Sequence, residues 1–367
     1  MYLNKNKRLV IKVGSALIAP GSNGCSTKHL RNIAYFIQQC RQRGQQVILV
    51  SSGSVAAGRQ WFNTTKPSKA MKKAMAATGQ NDMMAIWAKL LDVPLAQILL
   101  THADLCNRER YVSIKETIEE LLAHDVLPII NENDTVTSEE LKVGDNDNLA
   151  AMAAASIDAD MLIMCTDVDG LFDKNPHSND DATLLKSVSK ITPSIYSMAG
   201  GAVSSTGTGG MQTKIEAAEK STAHGIDTLI INGFEVESFK QLLAGENPGT
   251  HFLPNPDPMS PAIHWMTHTV RECGEVIIDD DEHDFTGDKE VLTSDNILEI
   301  KGQFSAGDTI VVSTEDGTRV AKAKINYSSC LLNYIAQEQD KDCVDGQFLP
   351  QNNSIISKEH LAVLENV

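Results

Sequence analysis

The chain has 367 residues, of which 42% are apolar, 22% charged and 5% aromatic, and its 48 acidic and 32 basic side chains give a net charge of −16. This length predicts a globular protein of two domains, and the acidic balance disfavours a surface built to bind nucleic acid. No apolar run approaches the ~20 residues that a membrane helix needs and no signal peptide is recognisable, so we expect a cytoplasmic protein without a membrane segment.

Short β-branched runs alternate with helical stretches over the first 245 residues. The first strand is predicted at 9–13, followed by a helix that stops at Gly44 and a strand at 47–50. The later predicted helices are 71–91, 109–123, 147–157 and 211–223, and the later strands are 95–100, 126–130, 161–165 and 228–231. Apolar strands separated by helices predict an α/β fold with a mostly parallel open sheet sandwiched by helices. In such sheets ligands bind beyond the carboxyl ends of the strands.

A proline-rich segment between Pro254 and Pro261 interrupts this alternation. Because proline lacks an N–H group and has a fixed φ, neither a helix nor a strand is expected to run through it. We therefore predict a first domain at 1–253, a linker at 254–273 and a second domain at 274–367. Strands predicted at 275–278, 297–300, 307–313 and 320–325 indicate that the second domain is small and mainly β.

Two lysines stand where their local environment disfavours a cation. Lys12 lies inside an otherwise apolar strand, and Lys214 lies in the first turn of a helix, where the helix dipole repels positive charge. Both are predicted at the ligand end of the sheet, which indicates a site for dense negative charge such as phosphoryl transfer requires. The alternative is a strand-end lysine that reaches water and a solvated helix lysine.

Glycine-rich turns are expected at three places along this edge of the sheet. They include Gly14 after the first strand, Gly53 after the second, and 207–210 before the helix that carries Lys214. Backbone N–H groups beside glycine can approach an anion closely, although each turn taken singly is also explained as an ordinary turn. Neither GxxxxGK[ST] nor GxGxxG occurs, which argues against a P-loop ATPase and a standard dinucleotide dehydrogenase.

A dense cluster of amides and carboxylates, 131–134 and 144–148, follows the strand that ends near Ile130. Amides and carboxylates suit an ammonium group, and the N–H groups that begin a helix suit a carboxylate, so the cluster predicts a site for a small zwitterion. A helix cap alone would explain one of these residues. Thr166 and Asp167, after the next strand, are placed either to meet a nucleotide or to form an Asx turn.

Metal-binding patterns are not recognisable in the sequence. The seven cysteines are widely spaced without a CxxC pair, and the ten histidines form no HExxH motif. These spacings predict neither a disulfide framework nor a zinc site.

Six motifs resemble, in order and spacing, those of the amino acid kinase family. They are VIKVGSA (10–16), SSGSVAAG (51–58), INENDTV (130–136), KVGDNDNLAA (142–151), TDVDGL (166–171) and GTGGMQTK (207–214). The pairing of INEND with GDNDN is similar to the bacterial members that phosphorylate glutamate. The segments 301–304 and 307–308 are similar to the PUA domain that follows the kinase domain in many members. Together the resemblance covers roughly residues 8–350.

The resemblance implies ATP-dependent phosphorylation of the γ-carboxylate of L-glutamate to L-glutamyl 5-phosphate, the first step of proline biosynthesis. It implies Mg²⁺ on the ATP phosphates, with no metal bound directly by the protein. It also implies L-proline as a feedback inhibitor, a homo-oligomer (dimer or tetramer) and contact with glutamyl phosphate reductase.

Other readings of the same motifs stay open. One is a kinase of the family that acts on aspartate, carbamate or a nucleoside monophosphate, and another is a non-catalytic amino acid sensor. A third is an RNA-binding regulator that uses the PUA-like domain. RNA binding is disfavoured because 17 acidic and 6 basic side chains lie between 274 and 345, a balance that repels a phosphate backbone.

The resemblance assigns roles to residues by their position in the motifs. Lys12, Lys214 and Asp147 would be catalytic, with Asp147 holding both ammonium groups, and Gly14 and Gly53 would cradle the phosphoryl group. The residues implied to bind glutamate are Ser52, Asp134 and Asn146. The residues implied to bind ATP are Lys12, Thr166, Asp167, Thr208, Gly209, Gly210, Met211, Gln212, Thr213 and Lys214. Two positions depart from the family pattern, with Ser15 in place of threonine and Asp169 in place of a frequent glutamine.

Overall fold

The computed structural model describes residues 5–21, 24–64, 66–137, 145–176, 178–199, 210–279, 292, 297–338 and 355–364. The chain divides into two compact units, Met1–Met259 and Ser260–Val367. The division falls inside the segment predicted as a linker, and a helix begins there at Pro261, where the missing N–H of proline is tolerated. The bounds 1–253, 254–273 and 274–367 stay a prediction. None of the helices in the described part of the chain is both long and apolar enough to cross a membrane.

The first unit is an α/β domain whose strands and helices alternate along the chain. In order they are β1 (Arg8–Val13), α1 (Ser15–Ile18), α2 (Thr27–Gln42), β2 (Gln46–Ser51), α3 (Ser54–Gly58), α4 (Lys69–Leu90), β3 (Leu95–Leu100), α5 (His102–Cys106), α6 (Arg108–Ala123), β4 (Leu127–Glu132), α7 (Asn146–Ser156), β5 (Met161–Thr166), β6 (Ser187–Val188), α8 (Pro193–Met198), α9 (Met211–Ala223), β7 (Asp227–Asn232), α10 (Val236–Ala244) and β8 (Thr250–Phe252). The predicted fold class is confirmed.

The strands of this unit form one sheet in the order β3-β4-β2-β1-β5-β7-β8-β6. Neighbouring strands are parallel except for the antiparallel pair β7 and β8. β1 lies at the centre, with Lys12 opposite Val50 of β2 and Met164 of β5. Lys12 is the penultimate residue of its strand, so it lies at the carboxyl edge of the sheet.

Alternation along β1 sends its side chains to two different layers. Leu9 and Ile11 pack in a core with the apolar face of α2, including Ile33 and Ile37. Val10 and Lys12 therefore point to the opposite face, where α7 packs against the sheet. Nearly every residue of α7 is buried, because its alanines allow close packing against the sheet and α9. This layering places the Lys12 side chain at the beginning of α7.

The second unit contains the mainly-β domain that the sequence predicts. Its elements are α11 (Pro261–His268), β9 (Gly274–Ile278), β10 (Ile297–Gly302), β11 (Thr309–Thr314), β12 (Arg319–Ile325), α12 (Ser329–Glu338) and β13 (Ile356–Val363). The sheet order is β10-β9-β11-β12-β13, with β9 and β11 parallel and the other neighbours antiparallel. The three elements outside the predicted set are α11, α12 and β13.

Candidate active site

The turns after three central strands are joined by backbone hydrogen bonds. The Ser52 N–H, after β2, donates to the Val13 carbonyl at the end of β1 over 3.0 Å. The Gly14 N–H, after β1, donates to the Cys165 carbonyl of β5 over 3.3 Å. These bonds gather residues from distant parts of the sequence at one edge of the sheet, as parallel strands require.

Two lysines converge on one buried aspartate at this edge. Lys12 Nζ lies 2.5 Å from Asp147 Oδ1, and Lys214 Nζ lies 3.1 Å from Asp147 Oδ2. Thr213 Oγ1 also donates to Asp147 Oδ2, over 3.3 Å. The Asp147 side chain is only 1% exposed and both lysine side chains are 8% exposed. Lys12, Asp147 and Lys214, called the Lys–Asp–Lys trio below, therefore form an ion-paired group largely shielded from water.

The electrostatics of the Lys–Asp–Lys trio keep its carboxylate ionised. Burial by itself raises the pKa of Asp147, but the charges and hydrogen bonds of Lys12 and Lys214 outweigh this effect and lower the pKa from 3.8 to about 2. Burial and the negative charge of Asp147 raise the pKa of the neighbouring Asp145. The hydrogen bonds that Asp145 accepts from backbone N–H groups lower its pKa but do not outweigh these effects. Within the trio two ammonium groups face a single carboxylate, so the group can attract a further anion.

The start of α7 differs from the sequence-based expectation. Asp145 is the N-cap, and its Oδ1 accepts from the N–H groups of Asp147 and Asn148 over 2.8 and 2.9 Å. The prediction that the N–H groups of this helix start bind a ligand carboxylate is wrong for these two, because the short Asp145 side chain already occupies them.

A second set of contacts joins α7 to α9. The Asn148 side chain lies 2.5 Å from Lys220 Nζ and 3.5 Å from Glu216 Oε2, both on α9. Since Asp147 and Lys214 belong to the same two helices, these contacts fix the relative position of the two charged groups.

Amide side chains connect four elements beside the trio. Asn146 Nδ2 donates to Ser52 Oγ over 2.8 Å and to Asn131 Oδ1 over 2.9 Å. Asn131 Nδ2 in turn donates to Gln80 Oε1 on α4 over 2.9 Å. Ser52 and Asn146 are thus brought together, whereas Gln80 was not among the predicted site residues. Its signal in the sequence is a glutamine at the helical spacing of Ala76, Met83 and Trp87, the core face of α4.

A hydrogen bond from Ser54 connects Asp134 to the turn that contains Gly53. Ser54, the first residue of α3, donates its hydroxyl to Asp134 Oδ2 over 2.9 Å. Gly53 precedes it with φ +99°, and a Cβ there would approach Ile18 Cβ to 3.0 Å, so glycine suits this position on two grounds. The contact holds Asp134 close to the turn that carries Ser52.

The residues predicted to bind ATP are only partly brought together. Thr166 ends β5, and its hydroxyl donates to Asp167 Oδ1 over 3.0 Å. Within the described residues, no hydrogen bond or ion pair connects either of them to the Lys–Asp–Lys trio. Asp169, the departure from the family pattern, accepts a hydrogen bond from Asn232 Nδ2 over 2.9 Å.

The helix that carries Lys214 begins without a side-chain cap. Gly210 is its N-cap residue, and Met211, Gln212 and Thr213 form its first turn. Among the residues that the structure describes, no side-chain oxygen caps their N–H groups, so the helix start keeps the character of an anion site. Thr208 and Gly209 lie outside the described residues.

Comparison with known proteins identifies two family profiles in this chain. The sequence profile of the amino acid kinase family matches residues 7–232, and that of the PUA domain matches residues 274–341. The chain therefore belongs to the amino acid kinase family, a class of phosphotransferases, and it carries a PUA domain. The predicted family resemblance is confirmed.

Three proteins named glutamate 5-kinase are similar to this chain over 90% or more of its length. Glutamate 5-kinase 1 of Pseudoalteromonas translucida (strain TAC 125) is 56% identical over 98% of this chain and 98% of its own length. Glutamate 5-kinase of Idiomarina loihiensis is 49% identical over 98% of both chains, and that of Salinibacter ruber is 46% identical over 90% of both.

Proposed function

We propose that this chain transfers the γ-phosphoryl group of ATP to the γ-carboxylate of L-glutamate, giving L-glutamyl 5-phosphate in the first step of proline biosynthesis. The observation that carries the proposal is the buried Lys–Asp–Lys trio, in which two ammonium groups share one carboxylate at the carboxyl edge of the sheet. The full-length similarity to proteins named glutamate 5-kinase supports the choice of substrate.

The transfer is a direct displacement between the two substrates. An oxygen of the glutamate γ-carboxylate forms a bond to the γ-phosphorus of ATP while the bond from that phosphorus to the bridging oxygen breaks, and ADP leaves. Lys12 and Lys214 neutralise negative charge on the moving group and on the leaving oxygen, where electrostatic stabilisation is most effective. Asp147 takes no proton, because its lowered pKa keeps it ionised, and it holds the two ammonium groups in place. Gly14 and Gly53 are the residues that cradle the transferred phosphoryl group.

Glutamate is bound beside the trio by Ser52, Asp134 and Asn146. Two hydrogen bonds support a common site for these residues. Asn146 Nδ2 donates to Ser52 Oγ, and Ser54 Oγ, from the same turn as Ser52, donates to Asp134 Oδ2. Carboxylate and amide oxygens accept the hydrogen bonds that an α-ammonium group donates.

ATP is bound by Lys12, by Thr166 and Asp167, and by the segment from Thr208 to Lys214. Within the described part of the chain, no side chain caps the start of α9, which supports a phosphate position there.

Mg²⁺ would accompany ATP and would neutralise part of the charge of its phosphates. The donor chemistry of the trio fits this arrangement, since both oxygens of Asp147 already face ammonium groups and are poorly placed to bind a cation. Among the residues that the structure describes, no three His, Cys, Asp or Glu side chains come together as a metal site. Lys12 and Lys214 would therefore bind the phosphates of ATP, and the metal would reach the site with those phosphates.

We also propose that the enzyme is cytoplasmic, that it forms a homo-oligomer of two or four chains, and that L-proline inhibits it. The acyl phosphate product is a reactive mixed anhydride, so contact with the reductase that consumes it would limit its hydrolysis.

A coupled assay tests the proposed reaction. The full chain is incubated with ATP and Mg²⁺, ADP release is measured, and hydroxylamine is added to trap an acyl phosphate as the hydroxamate. We expect ADP and γ-glutamyl hydroxamate in equal amounts with L-glutamate, and a decrease when L-proline is added. Equal or faster ADP release with aspartate, carbamate or UMP would show that another substrate is the correct one, and glutamate binding without ADP release would indicate a sensor.

A further inference from the structure

A line of hydrogen-bonded side chains connects the proposed glutamate site to a buried glutamine. It runs from Ser52 through Asn146 and Asn131 to Gln80, and its three bonds measure 2.8, 2.9 and 2.9 Å. These four side chains, called the amide relay below, come from the end of β2, the start of α7, the strand β4 and the helix α4. Gln80 is only 6% exposed, and it is the member farthest along the relay from Ser52.

A backbone group determines the direction of every bond in the amide relay. The N–H of Glu132 can only donate, and it donates to Asn131 Oδ1 over 2.9 Å. The oxygen of Asn131 must therefore lie on this side, and the group of Asn146 that meets it must be the donor Nδ2. The Nδ2 of Asn131 then lies on the other side, where it needs an acceptor. Gln80 Oε1 supplies that acceptor.

This order leaves Asn146 with its oxygen available to a ligand. Asn146 Oδ1 is buried, and no donor among the described residues forms a hydrogen bond to it. A buried oxygen without a donor is unfavourable until a ligand supplies one. The α-ammonium group of an amino acid has three donors and a positive charge, and it is the part of glutamate that a simple dicarboxylate lacks.

We propose that Gln80 is a positioning residue that, together with the Glu132 N–H, holds the Asn131 amide and, through it, presents Asn146 Oδ1 to the α-ammonium of the substrate. Gln80 thereby contributes to the choice of an α-amino acid over a dicarboxylate, without touching the substrate. This inference rests on the proposed role of Asn146 in binding glutamate.

The substitution Gln80→Met tests the proposal, since it keeps the length of the side chain and removes the acceptor. Asn131 Nδ2 loses its partner, so the amide relay is free to rearrange. We expect the KM for glutamate to rise about tenfold, the effect of losing one hydrogen bond to a charged group, while the KM for ATP and kcat stay near the wild-type values. Glutarate, which lacks the ammonium group, is used as a competitive inhibitor, and its Ki should not change.

Gln45→Met is the matched control. Gln45 is also a buried glutamine of the first unit, and its Nε2 donates to the Asn6 carbonyl over 2.8 Å, away from the amide relay. Its substitution should leave the KM for glutamate unchanged. Gln80→Leu is measured in parallel as a second apolar replacement. Unfolding of both Gln80 variants while Gln45→Met stays folded would show a purely structural role and contradict the proposal.

A double substitution distinguishes this inference from the proposed site itself. If Gln80 acts only through Asn146, then Gln80→Met combined with Asn146→Ala raises the KM for glutamate no further than Asn146→Ala alone. An unchanged KM in Asn146→Ala would overturn the assignment of the glutamate site. A raised KM in Asn146→Ala, together with an unchanged KM in Gln80→Met or an equal loss of glutarate affinity, would overturn the role of Gln80 only.

Discussion

The charge of a single residue, Asp147, decides how two buried lysines are tolerated. A lysine ammonium group that leaves water without a partner is strongly destabilising, and two ammonium groups close together also repel each other. Asp147 contacts both through different oxygens, which satisfies Lys12 and Lys214 and sets the distance between them.

Asp147→Asn keeps the shape of this side chain and removes its charge. Because the folded state lowers the pKa of Asp147 from 3.8 to about 2, the ionised form stabilises the fold at pH values above 3.8, and this contribution disappears as the pH falls to about 2. We expect the variant to be less stable than the wild type at pH 7, by about 3–5 kcal/mol for a buried charge that loses its partner. The difference should shrink between pH 4 and pH 2, as measured by urea unfolding at a series of pH values. A difference that stays constant over this range would mean that Asp147 is not the ionised partner of the lysines.

Some residues of the site can be predicted from the sequence and others cannot. A lysine in an apolar strand and a lysine at a helix start stand out, because each conflicts with its local environment. Asp147 has no such conflict, since an aspartate is ordinary in the first turn of a helix, and its role came from the family resemblance. The partners of Asn131 depend on how α4 packs beside β4, a tertiary contact that spacing along the chain does not reveal.

Two glycines allow α3 and α4 to cross closely. A Cβ built on Gly79 would lie 1.9 Å from the Ser54 carbonyl oxygen, and one built on Gly58 would lie 1.9 Å from the Met75 carbonyl oxygen. Both clashes are with backbone, which cannot move aside as a flexible side chain does. The first turn of α3 follows Gly53 and carries Ser54, so the crossing also determines where that turn meets Asp134.

Gly79→Ala therefore forces the two helices apart. We expect the free energy of unfolding to fall by about 1–3 kcal/mol or more, the range for overpacking, and the KM for glutamate to rise because the turn shifts. Gly21→Ala is the control, since a Cβ there would have no heavy atom of the described residues within 4 Å, and the φ of Gly21 is not in the left-handed region. Equal stability of the two variants in chemical denaturation would contradict the close crossing.

Long elements with a regular apolar pattern are predicted within a few residues of their observed ends. The helix predicted at 211–223 is observed as Met211–Ala223, and the strand predicted at 95–100 as Leu95–Leu100. The unpredicted elements are mostly short, such as α5 and α8, with too few residues to show a period. The antiparallel pairing of β8 with β7 depends on a reversal of chain direction that the strand pattern does not encode.

The described site residues all belong to the first of the two units. Lys12, Asp147, Lys214 and the amide relay all belong to Met1–Met259. The last residues of this unit pack back on α9, because the Asn255 and Met259 N–H groups donate to the Thr222 and Ala223 carbonyls over 2.9 Å each. A chain that ends after Met259 keeps these bonds.

We expect that shortened chain to fold and to keep a kcat of the same order as the full-length enzyme, since it contains every group that the proposed reaction uses. Proline inhibition and the oligomeric state are measured beside it, as these are the properties that removal of the second unit can change. A soluble, folded protein with no glutamate-dependent ADP release would contradict the assignment of catalysis to the first unit.

In the proposed reaction Lys12 and Lys214 together stabilise the transferred phosphoryl group, and the steady-state kcat values of Lys12→Met and Lys214→Met are the decisive measurement. Each variant leaves Asp147 with one ammonium partner, so the fold should survive. We predict a fall in kcat of about 10³-fold in each, because the lost stabilisation is concentrated in the transition state. Lys322→Met is the control, a buried lysine of the second unit that donates to the Thr267 and Val270 carbonyls, and its kcat should stay near the wild-type value. A wild-type kcat in a folded Lys12→Met or Lys214→Met enzyme would show that the lysine does not stabilise the transferred phosphoryl group.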